Sequence, residues 1–231
     1  MPNPGMRIVS QIDRSAQEYV EKFKMAPVAN VSDVMNRLFA MNSRIRPIGK
    51  GKFICGLAIT VKAAIADNMM FHKAITMAQP GDVIVVNACE DTAHSVCGDV
   101  MYRLAQSRGV AGFVVDGSVR DTDFLAESDF PVYAAGVTAR GPYKNGPGEI
   151  NTDIACGGQV VHPGDLIIGD PDGLVVVRRE DAPIVYEKYM KIRENESRLS
   201  GIIERGTWME ESPIIRTVNQ KLEEQGYEII G

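Results

Sequence analysis

The sequence predicts an α/β protein with an α/β/β sandwich as its core and helical extensions at the N- and C-termini. Strands and helices alternate between residues 55 and 136, which is typical of a parallel or mixed sheet. From residue 137 to 180, short aliphatic runs are separated by glycine- and proline-rich turns, as in antiparallel hairpins. Helix-type spacing of apolar residues flanks both regions.

The first half of the chain begins with two predicted helices. Residues 13–25 carry apolar side chains at helical spacing, and Ser32 is a suitable N-cap for a second helix over the residues that follow it. A buried strand at 55–64, a helix at 68–79 and a strand at 83–87 then form a strand–helix–strand unit.

The same pattern repeats once. We expect a helix at 98–109 that ends at its glycine, a strand at 111–117, a short helix at 121–127 and a strand at 131–136.

Two turn signals divide the β-rich second half. They lie at His162–Asp165 and Asp170–Gly173, and each is expected to join neighbouring strands as a hairpin. Charged amphipathic segments at 181–205 and 213–226 are expected to be helical.

The chain length suits one large domain. We expect a single domain over residues 1–231, with a core at about 26–180 and a C-terminal helical extension at about 181–231.

Composition narrows the functional classes. Hydrophobic residues make up 45% and charged residues 24% of the 231 residues, and the net charge is −5, as in ordinary soluble proteins. A negative chain without a basic run is a poor nucleic-acid binder. We see neither a signal peptide nor an apolar run of about 18 residues, so we expect a cytoplasmic protein without membrane association. The four cysteines form no CxxC pair, and we expect reduced thiols.

The most informative feature for function is the spacing between Asp99 and the pair Arg120–Asp121. A helix from residue 98 to 108 covers about 15 Å, and the strand that follows returns about 17 Å. The two ends therefore meet at one edge of the sheet, where open α/β sheets bind ligands.

Each residue type suits an anionic substrate held on a divalent metal. The backbone amides of Gly98, Asp99, Val100 and Met101 lie at the positive end of a predicted helix and can receive a carboxylate. Arg120 offers a planar fork for carboxylate or ketone oxygens. Asp121 is a hard oxygen ligand for Mg²⁺ or Mn²⁺, while Asp99 can orient metal-bound waters. The competing interpretation is structural, because an Arg–Asp pair after a strand often forms a surface ion pair or a helix cap.

Three segments resemble the class II pyruvate aldolases that cleave 4-hydroxy-4-methyl-2-oxoglutarate and 4-carboxy-4-hydroxy-2-oxoadipate, a family related to the regulator of ribonuclease activity A. They are the Asp99 to Arg120–Asp121 spacing, the run RGVAGFVVDGSVRD at 108–121, and the segments INTDIACGGQVVHPGD and GDPDGLVVV within 150–177. The resemblance covers about residues 26–180. It implies a swivelling β/β/α fold that assembles as a homotrimer or a homohexamer.

The resemblance also implies roles. Asp121 would bind Mg²⁺ or Mn²⁺ directly, and Asp99 would contact the metal through water. Arg120 would bind a small 2-oxo acid such as pyruvate, oxaloacetate or a 4-hydroxy-2-oxo acid, and the amides near Asp99 would hold its carboxylate. Glu196 of a neighbouring subunit would reach the water shell of the metal, with Glu194 as the second match.

The implied activity is retro-aldol cleavage of 4-hydroxy-2-oxo acids to pyruvate, with decarboxylation of oxaloacetate as a second reaction. Arg120 and Asp99 would be the catalytic residues. The alternative is a non-catalytic trimeric regulator or binding protein, but that branch lacks the acidic residue after the arginine, so Asp121 favours a lyase.

Other residues invite weaker hypotheses. The three histidines, His72, His94 and His162, lack zinc-site spacing, and of these only His94 is considered for a substrate contact. Lys62 would be needed for a Schiff-base aldolase. Asp67 and Asn68 follow a strand end and are candidates for the pocket wall.

Overall fold

The computed structural model describes residues 3–228 and residue 230. The chain forms two compact units, Met1–Tyr186 and Glu187–Gly231.

The first unit contains helices and strands in the predicted alternation. Its first ten elements are α1 (Gln17–Phe23), α2 (Val28–Val34), β1 (Arg46–Pro47), β2 (Ile54–Ala63), α3 (Met69–Met77), β3 (Val83–Asn87), α4 (Asp99–Ser107), β4 (Gly112–Val119), α5 (Thr122–Glu127) and β5 (Val132–Val137). Five short strands follow: β6 (Gly148–Ile150), β7 (Ile154–Cys156), β8 (Gln159–Val161), β9 (Leu166–Asp170) and β10 (Gly173–Val177).

Eight of these strands form one mixed sheet. The strand order is β1-β5-β4-β3-β2-β9-β10, and β6 also pairs with β2. The pairs β2–β3, β3–β4 and β4–β5 are parallel, so the strand ends of the first half lie at a common edge. Strands β7 and β8 form a separate antiparallel pair.

The central strands bury both faces. On β3, Ile84 and Val86 belong to a cluster that includes Phe71 of α3 and Tyr102 of α4. The alternate residues of β3 belong to a second cluster, which includes Ile154 of β7 and other residues of the β-rich second half. This two-sided burial follows from the period of two along a strand. Helices cover one face and β-structure the other, which confirms the predicted α/β/β sandwich.

The prediction for the second helix was wrong. Helix α2 begins at Val28 and ends at Val34, so Ser32 lies inside it. The amide of Val28 donates to the carboxylate of Asp170 at 2.9 Å, a partner from β9 that replaces a local cap. Asn36 has a left-handed backbone with φ of 60°, which prevents continuation of the helix.

The two turns differ in outcome. Asp170–Gly173 joins β9 and β10 as a hairpin, as predicted. His162–Asp165 instead connects β8 of the small pair to β9 of the large sheet, so the hairpin prediction for that turn was wrong.

The predicted C-terminal helices are present. Helix α6 (Ala182–Glu204) begins in the first unit and continues into the second, where α7 (Trp208–Glu211) and α8 (Pro213–Glu224) follow. The Ser212 hydroxyl caps α8 by accepting from the amide of Ile215 at 3.4 Å. Within the described part of the chain, no helix combines the length and apolar character that crossing a membrane requires.

Candidate functional site

Two chain reversals build the site at the carboxyl edge of the parallel strands. After β3 a loop leads to Gly98 and the start of α4, and after β4 the chain continues directly into Arg120 and Asp121. Strands β3 and β4 pair in parallel with Asn87 opposite Asp116. Both reversals therefore lie at the same edge, and the structure brings Asp99 together with the Arg120–Asp121 pair.

The carboxylate of Asp121 lies against the first turn of α4. Its Oδ2 accepts a hydrogen bond from the backbone amide of Asp99 at 2.9 Å and lies 3.5 Å from Nε of Arg120. Oδ1 takes part in neither contact, and the Asp121 side chain is 39% exposed. One oxygen of this carboxylate therefore remains available to a ligand.

Gly98 makes this close approach feasible. A Cβ at Gly98 would lie 2.2 Å from Oδ2 of Asp121 and 3.0 Å from Nε of Arg120. Because real Cβ atoms do not come that close, any side chain at this position would displace the Asp121 carboxylate. The start of α4 is thus shaped around Asp121.

The Arg120–Asp121 turn is held in place from both sides. Asp121 adopts a left-handed backbone, with φ of 58° and ψ of 48°, which costs a non-glycine residue on the order of 1–2 kcal/mol. The amide of Arg120 donates to the carbonyl of Cys97 at 3.1 Å, and the buried Tyr102 hydroxyl donates to the carbonyl of Arg120 at 2.9 Å. Burial raises the pKa of Tyr102, so it remains a donor. Backbone strain that is held by its surroundings is typical of functional sites.

Two of the four amides expected to receive an anion are already bonded. The amide of Asp99 binds Asp121, and that of Met101 donates to the carbonyl of Gly98 at 2.9 Å. The amides of Gly98 and Val100 form no hydrogen bond among the described residues. They lie at the positive end of the α4 dipole and are the donors left for a carboxylate.

These groups surround one pocket of about 250 Å³. The main candidates of the first unit for binding substrate or metal all line it, namely Gly98, Asp99, Val100, Met101, Arg120 and Asp121. Asn68 also lines it, as proposed for the wall, whereas its neighbour Asp67 is buried beneath a loop.

Sequence reasoning missed four further residues of the lining: His72, Cys97, Pro142 and Lys144. Burial raises the pKa of the Cys97 thiol to about 12, so it is not a nucleophile near neutral pH. Burial, and secondly the charge of Lys144, lower the pKa of His72. Pro142 and Lys144 come from the loop after β5, where glycines and prolines break up the sequence and no periodic pattern is visible.

The other residues singled out from the sequence lie outside this lining. His94 pairs with Asp91, with Nδ1 to Oδ2 at 2.9 Å, and His162 pairs with Asp153 at 2.8 Å. Lys62 is an exposed residue of β2. Glu194 and Glu196 are exposed on α6 in the second unit. Their predicted role concerns a neighbouring subunit and stays a prediction.

The donor set fits a hard cation that keeps much of its water. No group of three or more His, Cys, Asp or Glu side chains suited to a metal occurs in the described residues. Mg²⁺ is often held by one or two carboxylates plus water and substrate. Asp121 has one uncommitted oxygen, and Asp99, whose side chain is 41% exposed, lines the same pocket.

A family model described as RraA-like (Aldolase/RraA) matches residues 28–176, more than half of the sequence. The chain belongs to the RraA-like family. The resemblance seen in the sequence is thereby confirmed.

Three proteins similar to this chain carry different names. A Halalkalibacterium halodurans protein named "Putative 4-hydroxy-4-methyl-2-oxoglutarate aldolase" is 37% identical over 174 residues, which cover 75% of this chain and 83% of that one. The structure of the RNA-processing inhibitor RraA from Thermus thermophilus is similar with a TM-score of 0.61 and 28% identity, over 66% of this chain and 92% of that one. An uncharacterized Pseudomonas syringae protein superposes with a TM-score of 0.73 at 24% identity, over 82% and 94% of the two chains, a likeness in fold alone.

Proposed function

We propose that this RraA-like protein is a divalent-metal-dependent lyase that cleaves 4-hydroxy-2-oxo acids to pyruvate. The observation that carries the proposal is the Asp121 carboxylate, which is fixed at the start of α4 beside Arg120 with one oxygen uncommitted. The name of the Halalkalibacterium halodurans relative supports an aldolase within this family.

Each residue has a distinct task in the proposed reaction. Asp121 would hold Mg²⁺ or Mn²⁺, with Asp99 facing the same space. When bound, the metal polarises the 2-oxo group as a Lewis acid. The amides of Gly98 and Val100 would bind the C1 carboxylate, and the Arg120 guanidinium would stabilise negative charge as it develops on the 2-oxo oxygen.

The bond changes follow retro-aldol chemistry. The C4 hydroxyl loses its proton, the C3–C4 bond breaks, and its electron pair passes to C3 to give the enolate of pyruvate. A proton added to C3 completes pyruvate, and C4 leaves as a carbonyl compound. Asp99 would accept the hydroxyl proton through solvent. Oxaloacetate would be decarboxylated at the same site, because loss of CO₂ from C3 leaves the same enolate.

The proposal extends to assembly. The protein would form a homotrimer or homohexamer, in which Glu196 of one chain completes the site of its neighbour. Light scattering of the purified protein measures the mass directly. Glu196→Gln should lower activity, while Glu204→Gln, at an exposed glutamate of the same helix, serves as the matched control.

A second candidate function is a non-catalytic regulator. The likeness to the Thermus thermophilus RNA-processing inhibitor favours it. Such a protein would release no pyruvate from any 2-oxo acid.

The deciding experiment is pyruvate release from a panel of 4-hydroxy-2-oxo acids and oxaloacetate, with added Mg²⁺ or Mn²⁺ and with EDTA. We expect release with metal and its loss on chelation. Release that survives EDTA, with trapping of substrate by borohydride, would instead indicate a lysine-based aldolase. No release from any substrate would favour the regulator.

A further inference from the structure

The peptide that joins Arg120 to Asp121 is bonded to α4 through a tyrosine that has no part in the proposed reaction. The hydroxyl of Tyr102 donates to the carbonyl of Arg120 at 2.9 Å. The amide of Arg120 donates in turn to the carbonyl of Cys97 at 3.1 Å. Both polar backbone groups of Arg120 are therefore engaged, and the peptide that precedes Asp121 is held in one orientation.

The hydroxyl of Tyr102 is itself fixed in direction. The side chain is fully buried, so no solvent competes for its proton. The Cys97 thiol donates to the Tyr102 oxygen at 3.8 Å, which leaves the hydroxyl proton for a carbonyl. The carbonyl of Cys97 lies 3.4 Å from the hydroxyl, farther than the carbonyl of Arg120. The shorter contact identifies the Arg120 carbonyl as the main acceptor.

The ring of Tyr102 extends the same connection into α5. It stacks on the ring of Phe124, with centroids 5.9 Å apart and planes inclined by 17°. Phe124 is the third residue of α5, the helix that Asp121 precedes. The rings of Phe113 and Phe130 also contact Tyr102, with centroids at 6.1 and 6.4 Å. A single side chain of α4 thus holds the start of α5 by its ring and by its hydroxyl.

The position of the Asp121 carboxylate depends on this peptide. Asp121 has a left-handed backbone, which a residue with a Cβ keeps only where its surroundings hold it. Rotation of the preceding peptide would relax this backbone and move Oδ2 away from the amide of Asp99, to which it is bonded at 2.9 Å. The hydroxyl of Tyr102 therefore opposes the motion that would withdraw Asp121 from α4.

We propose that Tyr102 is a positioning residue for the metal-binding carboxylate, because its hydroxyl holds the Arg120–Asp121 peptide in the orientation that presents Asp121 to a divalent cation. This inference rests on the proposed lyase function and deepens it. Tyr102 is buried and does not line the pocket, so it acts through Asp121 alone. Without the hydroxyl, the turn also populates relaxed conformations, and the apparent metal affinity falls with the fraction of molecules that remain competent to bind.

Tyr102→Phe tests the hydroxyl, because it keeps the ring that stacks on Phe124. Binding of Mn²⁺, followed by electron paramagnetic resonance, should weaken by about 10-fold, as for loss of one buried hydrogen bond. Tyr133→Phe is the matched control. Tyr133 is equally buried in the other core cluster, and its hydroxyl donates to the carbonyls of Lys52 and Asp170. The control should lose stability in urea but keep the wild-type affinity for Mn²⁺.

A second measurement needs no metal. Hydrogen exchange at the Asp99 amide, followed by NMR, reports on the bond between this amide and Asp121. In Tyr102→Phe the protection of the Asp99 amide should fall by about 10-fold, and in Tyr133→Phe it should not change. Deuterium exchange of pyruvate at saturating Mn²⁺ should stay within threefold of the wild-type rate in Tyr102→Phe, since every group that touches metal or substrate is still present.

Wild-type affinity for Mn²⁺ in Tyr102→Phe, or wild-type protection of its Asp99 amide, would overturn the inference. Equal losses in Tyr133→Phe would also overturn it, because they would show a general effect of removing a buried hydroxyl. Failure of the proposed function would appear separately, as absence of Mn²⁺ binding and of pyruvate exchange in the wild-type protein. Protection of the Asp99 amide would then still decide whether Tyr102 positions Asp121.

Discussion

Asp116 and Asp121 are two carboxylates from the same end of β4, but they differ in burial and in hydrogen bonding. Asp116 is 3% exposed, and both of its oxygens are engaged: Oδ1 by Nη2 of Arg44 at 2.6 Å, Oδ2 by the amide of Gly157 at 2.8 Å. Both contacts of the Asp121 carboxylate involve Oδ2, so Oδ1 is not engaged, and the side chain is 39% exposed. We therefore propose that the acceptor capacity left open by the fold, and not proximity to a strand end, makes Asp121 the ligand-binding carboxylate and Asp116 a structural one.

The largest effect is expected for Asp121→Asn. Asparagine tolerates the left-handed backbone and can still accept from the amide of Asp99, so the fold should persist. Loss of the charge should reduce metal-dependent pyruvate release by about 1000-fold or more, as for removal of a key electrostatic group. Circular dichroism and urea unfolding provide the control. Activity within threefold of wild type would show that Asp121, like Asp116, has only a structural role.

Gly98→Ala should have the next largest effect. The new Cβ would collide with the Asp121 carboxylate, so that the carboxylate and the Arg120 fork must shift. Small misplacements of this kind cost on the order of 100-fold in rate. Steady-state kinetics with saturating Mg²⁺ measures the loss. Wild-type activity in Gly98→Ala would show that catalysis does not require the Asp121 carboxylate in its position against α4.

Asp116→Asn should lower the stability of the protein and leave catalysis in place, the opposite of the effect expected for Asp121→Asn. The amide would set an N–H group against Arg44 or the Gly157 amide in a buried position. Because Arg44 is 30% exposed, we expect a loss of about 2–4 kcal/mol in the free energy of unfolding. Urea denaturation measures it. If Asp116→Asn retained full stability but lost catalysis, the structural assignment of Asp116 would fail.

The smallest effect concerns His72 in the wall next to Lys144. Burial and the charge of Lys144 both favour the neutral imidazole, so its pKa should lie below the ordinary 6.5. The imidazole of His72 then binds a proton more readily in the unfolded chain than in the folded one. The free energy of unfolding therefore decreases as the pH falls below 6.5. NMR titration of the ring measures the pKa, which Lys144→Met should raise. A His72 pKa above 6.5 would contradict the placement of both side chains.

Local patterns predicted the part of the site that lies close in sequence. The helix at α4, the strand at β4 and the reversal between them bring Asp99 to Asp121 within one strand–helix–strand unit, so periodicity and spacing were sufficient. The strand β3 was predicted with its observed bounds because a run of β-branched residues is bordered by a Pro-Gly turn.

Local sequence patterns do not predict contacts between segments that are distant along the chain. Helix α2 starts at Val28 because Asp170 caps it from β9, and Ser32 gave a misleading local signal. Lys144 reaches the pocket because Asp67 binds the amides of the loop that carries it. No periodicity marks that loop, so its lysine was missed. Sequence reasoning therefore found the half of the pocket proposed to bind metal and pyruvate, but not the part of the lining that the loop after β5 contributes.

The most direct test of the account is exchange of the pyruvate methyl protons for deuterium, followed by NMR. This exchange reports enolate formation without any second substrate. The account predicts rapid exchange by the wild-type protein with Mg²⁺ or Mn²⁺, loss of exchange with EDTA, loss in Asp121→Asn and retention in Asp116→Asn. Exchange that is insensitive to EDTA, or equal in Asp121→Asn and wild type, would contradict it.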